Sequence, residues 1–256
     1  MAGTENRFIL LYHGVSPTWP AETSVHPDKL REQLVLLQSK GYRAATLTDA
    51  LREPPQSKTM VVTFDDAHRS VYELARPILA ELDVPGTIFV PTDFPDSGRL
   101  MAWDGYDTWL GTQYEPELEC MSWAQLREVA DAGWEIGSHS CSHALLTELT
   151  DAQLEHELQG SRVACEERLE RPCLSLAYPY SDWDGRVEAA ARAAGFTAAV
   201  TVNTGSWSAP LQLPRTAVNH YDTASRLRLR VTRRRFPRID ALLKRLKGID
   251  PTNPRT

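Results

Sequence analysis

Eight short apolar runs, set apart by stretches that are amphipathic at helical spacing, limit what this 256-residue chain can become. Phe8–Tyr12, Arg43–Leu47, Met60–Phe64, Gly86–Val90, Trp134–Gly137, Cys173–Tyr178, Thr197–Val202 and Leu211–Val218 read as strands, the Arg43 run being the weakest. Helices are expected over Asp28–Ser39 (Leu30, Leu34 and Leu37 on one face), Ser70–Leu82, Ser122–Ala132, Asp151–Leu169 and Asp184–Ala194. Parallel strands need long crossovers, so this alternation gives a parallel sheet covered by helices. Seven or eight units in about 250 residues is the size of a closed (β/α) barrel. An open doubly wound sheet fits the same string, because strand order is not written in it. Neither glycine-rich phosphate-binding signature follows a strand, so nucleotide-binding versions of the fold lose their main support.

Local punctuation sharpens the reading. Ser122 with Gln125 three residues on is a capping-box pattern, and Gly195 closes the helix that starts near Asp184. Residues 91–121 form a long irregular stretch rich in Asp, Gly, Pro and Trp, expected to serve as a wall or lid over a site. No apolar run approaches the roughly 18 residues of a membrane span. Phe8–Tyr12 is too short for a signal-peptide core, and the four cysteines form no C-x-x-C pair, so a cytoplasmic protein with reduced thiols is expected.

Charge is unevenly spread. Between Arg226 and Lys247 there are ten Lys/Arg against one acid, Asp240, while the rest carries 18 basic and 33 acidic residues. An acidic body excludes a general nucleic-acid-binding surface. Residues 1–225 are therefore expected to form the barrel and 226–256 a basic tail, split by Pro237, with Ile239, Leu242, Leu243 and Leu246 on one stripe. That tail can lie on an anionic membrane surface, which would make the protein peripheral to the inner face of the membrane. It can equally close the barrel, with its arginines on the acidic body.

In a parallel α/β fold, residues just past the C-terminal strand ends converge on one face. Three runs put unusual residues there. Val61–Phe64 ends in Asp65 and Asp66. Adjacent carboxylates at a buried strand end are costly unless a cation or a proton compensates them. A metal on one and a proton-accepting role for the other would do so; a helix cap and a solvated acid would also serve. Trp134–Gly137 leads into Ser138-His139-Ser140-Cys141-Ser142-His143. Histidines four apart share a face, about 6 Å apart along the axis, if the segment is helical. That suits two imidazoles on one divalent ion, although roughly one such sequence in six shows the spacing by accident. Two His and one carboxylate leave coordination positions open, as catalysis requires, and Cys141 would point off the ligand face. Ala177-Tyr178-Pro179-Tyr180-Ser181-Asp182 also follows a strand. Pro179 forces Tyr178 towards extended geometry, in a turn that either presents a backbone N–H and an aromatic wall or packs without chemistry.

Together these runs resemble the motifs of the polysaccharide deacetylase (NodB-homology) family of carbohydrate esterases. Thr63-Phe64-Asp65-Asp66-Ala67 is similar to its T-F-D-D-G motif, His139–His143 to H-S-x-x-H, and Ala177-Tyr178-Pro179-Tyr180 to the P-Y motif in its Y-P-Y form. They stand in family order within Phe8 to Val218. The resemblance implies an α/β, single-domain, distorted (β/α)7 barrel and metal-dependent hydrolysis of an N-acetyl, less often O-acetyl, group on a sugar or glycoconjugate precursor. Carried over residue by residue, Asp65 is the implied base and Asp66 the ligating carboxylate. His139 and His143 are the implied metal-binding imidazoles, and Tyr180 supplies the backbone N–H that holds the oxyanion. The implied cofactor is one divalent ion, zinc first.

Ala67 and Ser181 depart from the family's glycines, and Ala177 stands where many members carry an arginine that supports the catalytic aspartate. For the acid, Tyr12-His13 ends the first strand and resembles the early Y-H motif of the poly-N-acetylglucosamine deacetylase branch. His220, in Val218-Asn219-His220, is the poorer late match, so His13 is favoured. His26, His68 and His156 are surface histidines by default, with His68 near enough to the Asp pair to line the site. A metal hydrolase of a non-sugar amide and an inactive sugar-binding module are the other classes; the complete Asp-Asp-His-His set argues against the second.

Overall fold

β1 (Arg7–Tyr12) and β3 (Thr59–Phe64) run side by side in parallel, from Arg7 opposite Thr59 to Tyr12 opposite Phe64, and this pairing closes a barrel. The structure is a computed structural model and describes residues 6–54, 56–202 and 204–235. From β3 the ring continues through β4 (Gly86–Val90), β5 (Glu135–Ser138), β6 (Ser175–Ala177), β7 (Ala198–Val202) and β8 (Leu213–Ala217), and returns to β1. All the pairings are parallel, so the closed (β/α)7 barrel holds and the open sheet does not. β2 (Arg43–Ala45) lies outside the ring, on the first half of β3, below the point where β4 takes over at Val62.

Both faces of these strands are buried, which is why they read as continuous apolar runs rather than alternating ones. Ile9, Val61, Phe89, Ala177, Val200 and Leu213 fill the barrel, while Leu10, Val62, Ile88, Leu176 and Ala199 pack outward under the helices. Gly137 leaves room for this filling: a Cβ there would meet the Phe89 ring at 2.7 Å.

The helices are α1 (Pro27–Ser39), α2 (Leu47–Arg52), α3 (Arg76–Glu81), α4 (Trp123–Asp131), α5 (Asp151–Glu155), α6 (Ser161–Leu169), α7 (Gly185–Ala193) and α8 (Ala224–Arg235). The capping box expected at Ser122 and Gln125 is present on α4. Three expectations need correction. The strand expected over Arg43–Leu47 stops at Ala45, because the Thr46 hydroxyl caps α2, whose Leu47 and Ala50 join the interior cluster. The helices expected over Ser70–Leu82 and Asp151–Leu169 are not uninterrupted: a π-helical turn, Val71–Ala75, precedes α3, and another, His156–Gly160, lies between α5 and α6.

α8 packs on α1 and buries Leu227 and Val231. Arg230 donates to the Asp222 carboxylate (2.5 Å) and to the Ala217 carbonyl (2.6 Å). The Pro237 break and the stripe from Ile239 to Leu246 lie outside the described residues. Among the described residues, no helix is long and apolar enough to cross a membrane.

Candidate active site

The C-terminal ends of the strands deliver the chemistry to one rim. His13 follows β1, Asp65 and Asp66 follow β3, His139 follows β5, the Tyr178–Tyr180 turn follows β6, and Arg215 lies within β8. Their backbones are bent to do it. Six of the nine non-glycine residues with positive φ among the described residues are Asp66, Ala67, Ser140, His143, Tyr180 and Ser181. Left-handed backbone costs a residue with a Cβ roughly 1–2 kcal/mol, and such strain gathers at functional sites. Ala67 (φ 53°) and Ser181 (φ 57°), which replace the glycines of the resembled motifs, take up this left-handed backbone with side chains in place.

The two histidines do come together, but not on a helix as expected. With Ser140 at φ 61° and His143 at φ 63°, the segment is a turn, and the ring centroids lie 4.8 Å apart. The turn is held from outside by Glu157, in the π-helical turn. Its buried carboxylate accepts from the Cys141 N–H (2.8 Å), the Ser142 N–H (2.9 Å) and the Ser142 hydroxyl (2.6 Å). A π-turn is often retained where a helix must aim one side chain at a site, and Glu157 is that side chain here. The Cys141 thiol points away, towards the His156 carbonyl.

Asp66, His139 and His143 each offer an atom within 4.8 Å of the others. Asp66 Oδ1 lies 3.4 Å from His139 Nε2 and 3.5 Å from His143 Nε2, and it is buried with no hydrogen-bond partner. Two ligands about 2.0–2.1 Å from one tetrahedral ion stand about 3.3 Å apart, so this orphaned oxygen and the two imidazoles fit a zinc-sized divalent cation. His139 donates from Nδ1 to the Ala177 carbonyl (2.8 Å), which fixes the tautomer that leaves Nε2 free as a ligand. Burial lowers the His143 pKa to about 3, so its ring is neutral, the form able to ligate a cation. Burial also works against a charged His139, but Asp65 and Asp66 outweigh it and raise its pKa above the ordinary value. Burial alone would raise the Asp66 carboxyl; the His139 and His68 imidazoles beside it, then His143, reverse this and hold it well below the carboxylate range.

Asp65 is locked differently. Arg215, itself buried, donates Nη1 to Oδ1 (2.6 Å) and Nη2 to Oδ2 (2.7 Å) and lies over the Phe89 ring. Burial would push the Asp65 carboxyl up, but the guanidinium, then His139, holds it below its usual value. Arg215 thus gives Asp65 the support that Ala177 lacks. Sequence reading missed it, although an arginine in inward register with Leu213 and Ala217 was the available signal.

A cavity of about 580 Å³ opens over this cluster. His13 lines it, whereas His220 is not among its lining residues; burial lowers the His13 pKa. Tyr180 is half-exposed at its mouth, in a turn pinned where the Val202 N–H donates to the Ser181 hydroxyl (2.9 Å). The 91–121 stretch forms one wall, with Trp103, Tyr106 and Trp109 lining the cavity; outside it, Trp123 is core and Trp183 packs against the core. His68 corrects the surface default: it is fully buried, with Nε2 3.5 Å from Asp66 Oδ2 and 3.3 Å from the Tyr106 hydroxyl. Its Nδ1 donates to the Glu117 carbonyl at 2.9 Å.

A parallel barrel with carboxylates and imidazoles gathered at its C-terminal rim has the layout of a barrel-fold hydrolase. The sequence profile described as Polysaccharide deacetylase matches residues 52–199, over half the chain, and the chain belongs to that family. It is 24% identical over 205 residues to the Bacillus subtilis (strain 168) protein named "Putative polysaccharide deacetylase YxkH", covering 78% of this chain and 66% of that one. The Streptococcus pyogenes deacetylase PplD in complex with acetate superposes with a TM-score of 0.74 at 22% identity, covering 87% of this chain and 96% of the other. A de-N-acetylase from Aggregatibacter actinomycetemcomitans gives 0.72 at 16% identity, covering 87% and 98%. At such identities the two superpositions speak for the fold.

Proposed function

We propose that this chain is a metal-dependent deacetylase that removes N-acetyl groups from a sugar or glycoconjugate. The observation that carries this reading is the orphaned Asp66 Oδ1 facing two imidazole Nε2 atoms, one residue from an arginine-locked Asp65. A divalent ion held by Asp66, His139 and His143 would polarise the acetyl carbonyl and acidify a water. Asp65 accepts the proton of the attacking water on a lone pair that Arg215 leaves free; the guanidinium keeps the carboxylate ionised and aimed. The Tyr180 backbone N–H receives the developing oxyanion. An amine leaves only when protonated, and His13, on the strand next to that of Asp65, is the donor. This need for an acid as well as a base supports an N-acetyl substrate. The aromatic wall of Trp103, Tyr106 and Trp109 suits the apolar faces of sugar rings.

The test is acetate release from a panel of N-acetylated and O-acetylated mono- and oligosaccharides and non-sugar amides, with wild type and Asp65→Asn. N-acetylated sugars should be cleaved, and Asp65→Asn should lower turnover about 10²–10⁴-fold while retaining metal. Cleavage of non-sugar amides alone would move the chain to a different hydrolase class.

A further inference from the structure

The two histidines of the cluster are oriented by different means. His139 has a hydrogen bond from Nδ1 to a backbone carbonyl, as a ligating imidazole ordinarily does. His143 has none: its Nδ1 is buried and unpartnered. Instead the ring lies flat against the Trp103 indole, with centroids 3.9 Å apart and planes within 10°. Tyr180 meets it edge-on at 4.5 Å and His139 at 4.8 Å. Trp103 is itself fixed, edge-on to Phe94 at 5.4 Å and stacked on Tyr106 at 5.7 Å. The Tyr106 hydroxyl is tied to Thr23 (3.1 Å) and to His68, which in turn touches Asp66. The 91–121 wall therefore braces two residues of the cluster from one side.

We propose that Trp103 is a positioning residue for His143, its indole face setting the imidazole plane that a hydrogen bond sets at His139. The proposal rests on the reading of Asp66, His139 and His143 as a metal site. It adds a second role to Trp103's place in the aromatic wall, carried by the face that His143 already covers.

The experiment compares metal binding by full-length wild type, Trp103→Ala and Trp103→Phe, each stripped of metal. Zinc affinity is measured against a competing chelator, and cobalt(II) is added separately to read the ligand geometry from its visible absorption. Loss of a group that orients a ligating histidine typically weakens metal binding about 10–100-fold, and that loss is expected for Trp103→Ala, together with a shifted cobalt band. Trp103→Phe keeps a flat face and should recover most of the affinity and the wild-type band. Wild-type affinity and an unchanged band in Trp103→Ala would overturn the proposal, leaving Trp103 as a substrate platform. If Trp103→Ala does not fold, Trp103→Leu decides, because it keeps apolar bulk without a planar face. Weak binding in the Leu variant beside recovery in the Phe variant supports the proposal, and equal affinity in the two overturns it. A wild-type protein that binds neither ion removes the metal reading itself and this proposal with it, an outcome distinct from tight binding in both wild type and variant.

Discussion

Asp65 and Arg215 show how much of a site rests on single side chains. Their buried pair is stable only as a pair, since removing one partner leaves an uncompensated charge, at a cost of about 3–5 kcal/mol. Arg215→Met should destabilise the protein by about that much at neutral pH, measured by urea unfolding. The Asp65 pKa is lowered in the folded state, so its contribution is present above the unfolded value of about 3.9 and lost as pH falls through the folded one. The gap between wild type and Arg215→Met should therefore shrink below about pH 4. An equal gap at all pH would mean that the pair is not the source. His13 gives a second prediction at this scale. Its lowered pKa means that only a minority of molecules carry the acid's proton at neutral pH. The pH profile of kcat/KM should then have an alkaline limb centred below about 6.5, and His13→Ala should abolish that limb along with most of the activity. A profile that instead loses its limb in His220→Ala would assign the acid to the late histidine. The motif residues were legible because each follows a strand in the sequence. Arg215 and His68 were not, because their roles depend on which strands and loops become neighbours in space.

Among the elements, the turn from His139 to His143 shows where periodicity misleads. A four-residue spacing suggested a helix, but two left-handed residues and a carboxylate from a different helix make the same pair of imidazoles converge. The strand before it was readable; the turn was not, since its geometry is imposed by Glu157, about 15 residues further along the chain. The π-helical turn carrying Glu157 was likewise invisible, because Leu154, Leu158, Cys165 and Leu169 keep spacings that also fit an uninterrupted α-helix. Glu157→Ala removes three hydrogen bonds from the turn without touching a proposed ligand. It should weaken zinc binding about 10–100-fold, read by chelator competition, with Glu157→Gln falling between it and wild type. Unchanged affinity in Glu157→Ala would show that the turn holds its shape unaided. The capping box on α4 lies at the other extreme: a local signal was enough to find it.

At the scale of the whole molecule, strand–helix alternation gave the class of architecture but not its closure. That depends on β1 meeting both β3 and β8, contacts between residues up to about 200 positions apart, which no local pattern records. The irregular 91–121 stretch was readable as a wall, yet only the fold shows that it lines the cavity with Trp103, Tyr106 and Trp109 and reaches the cluster through Trp103 and Tyr106. α8 lies on the body, its described arginines 226 and 230 donating to Tyr221, Asp222 and Ala217. The central claim is that one divalent ion at Asp66, His139 and His143 governs hydrolysis. It is tested most directly by titrating zinc into metal-stripped protein while following acetate release from an N-acetylated oligosaccharide. Activity should rise from near zero and saturate at about one ion per chain, as a single three-ligand site requires. Full acetate release from the stripped protein, with no response to added zinc, would contradict the account.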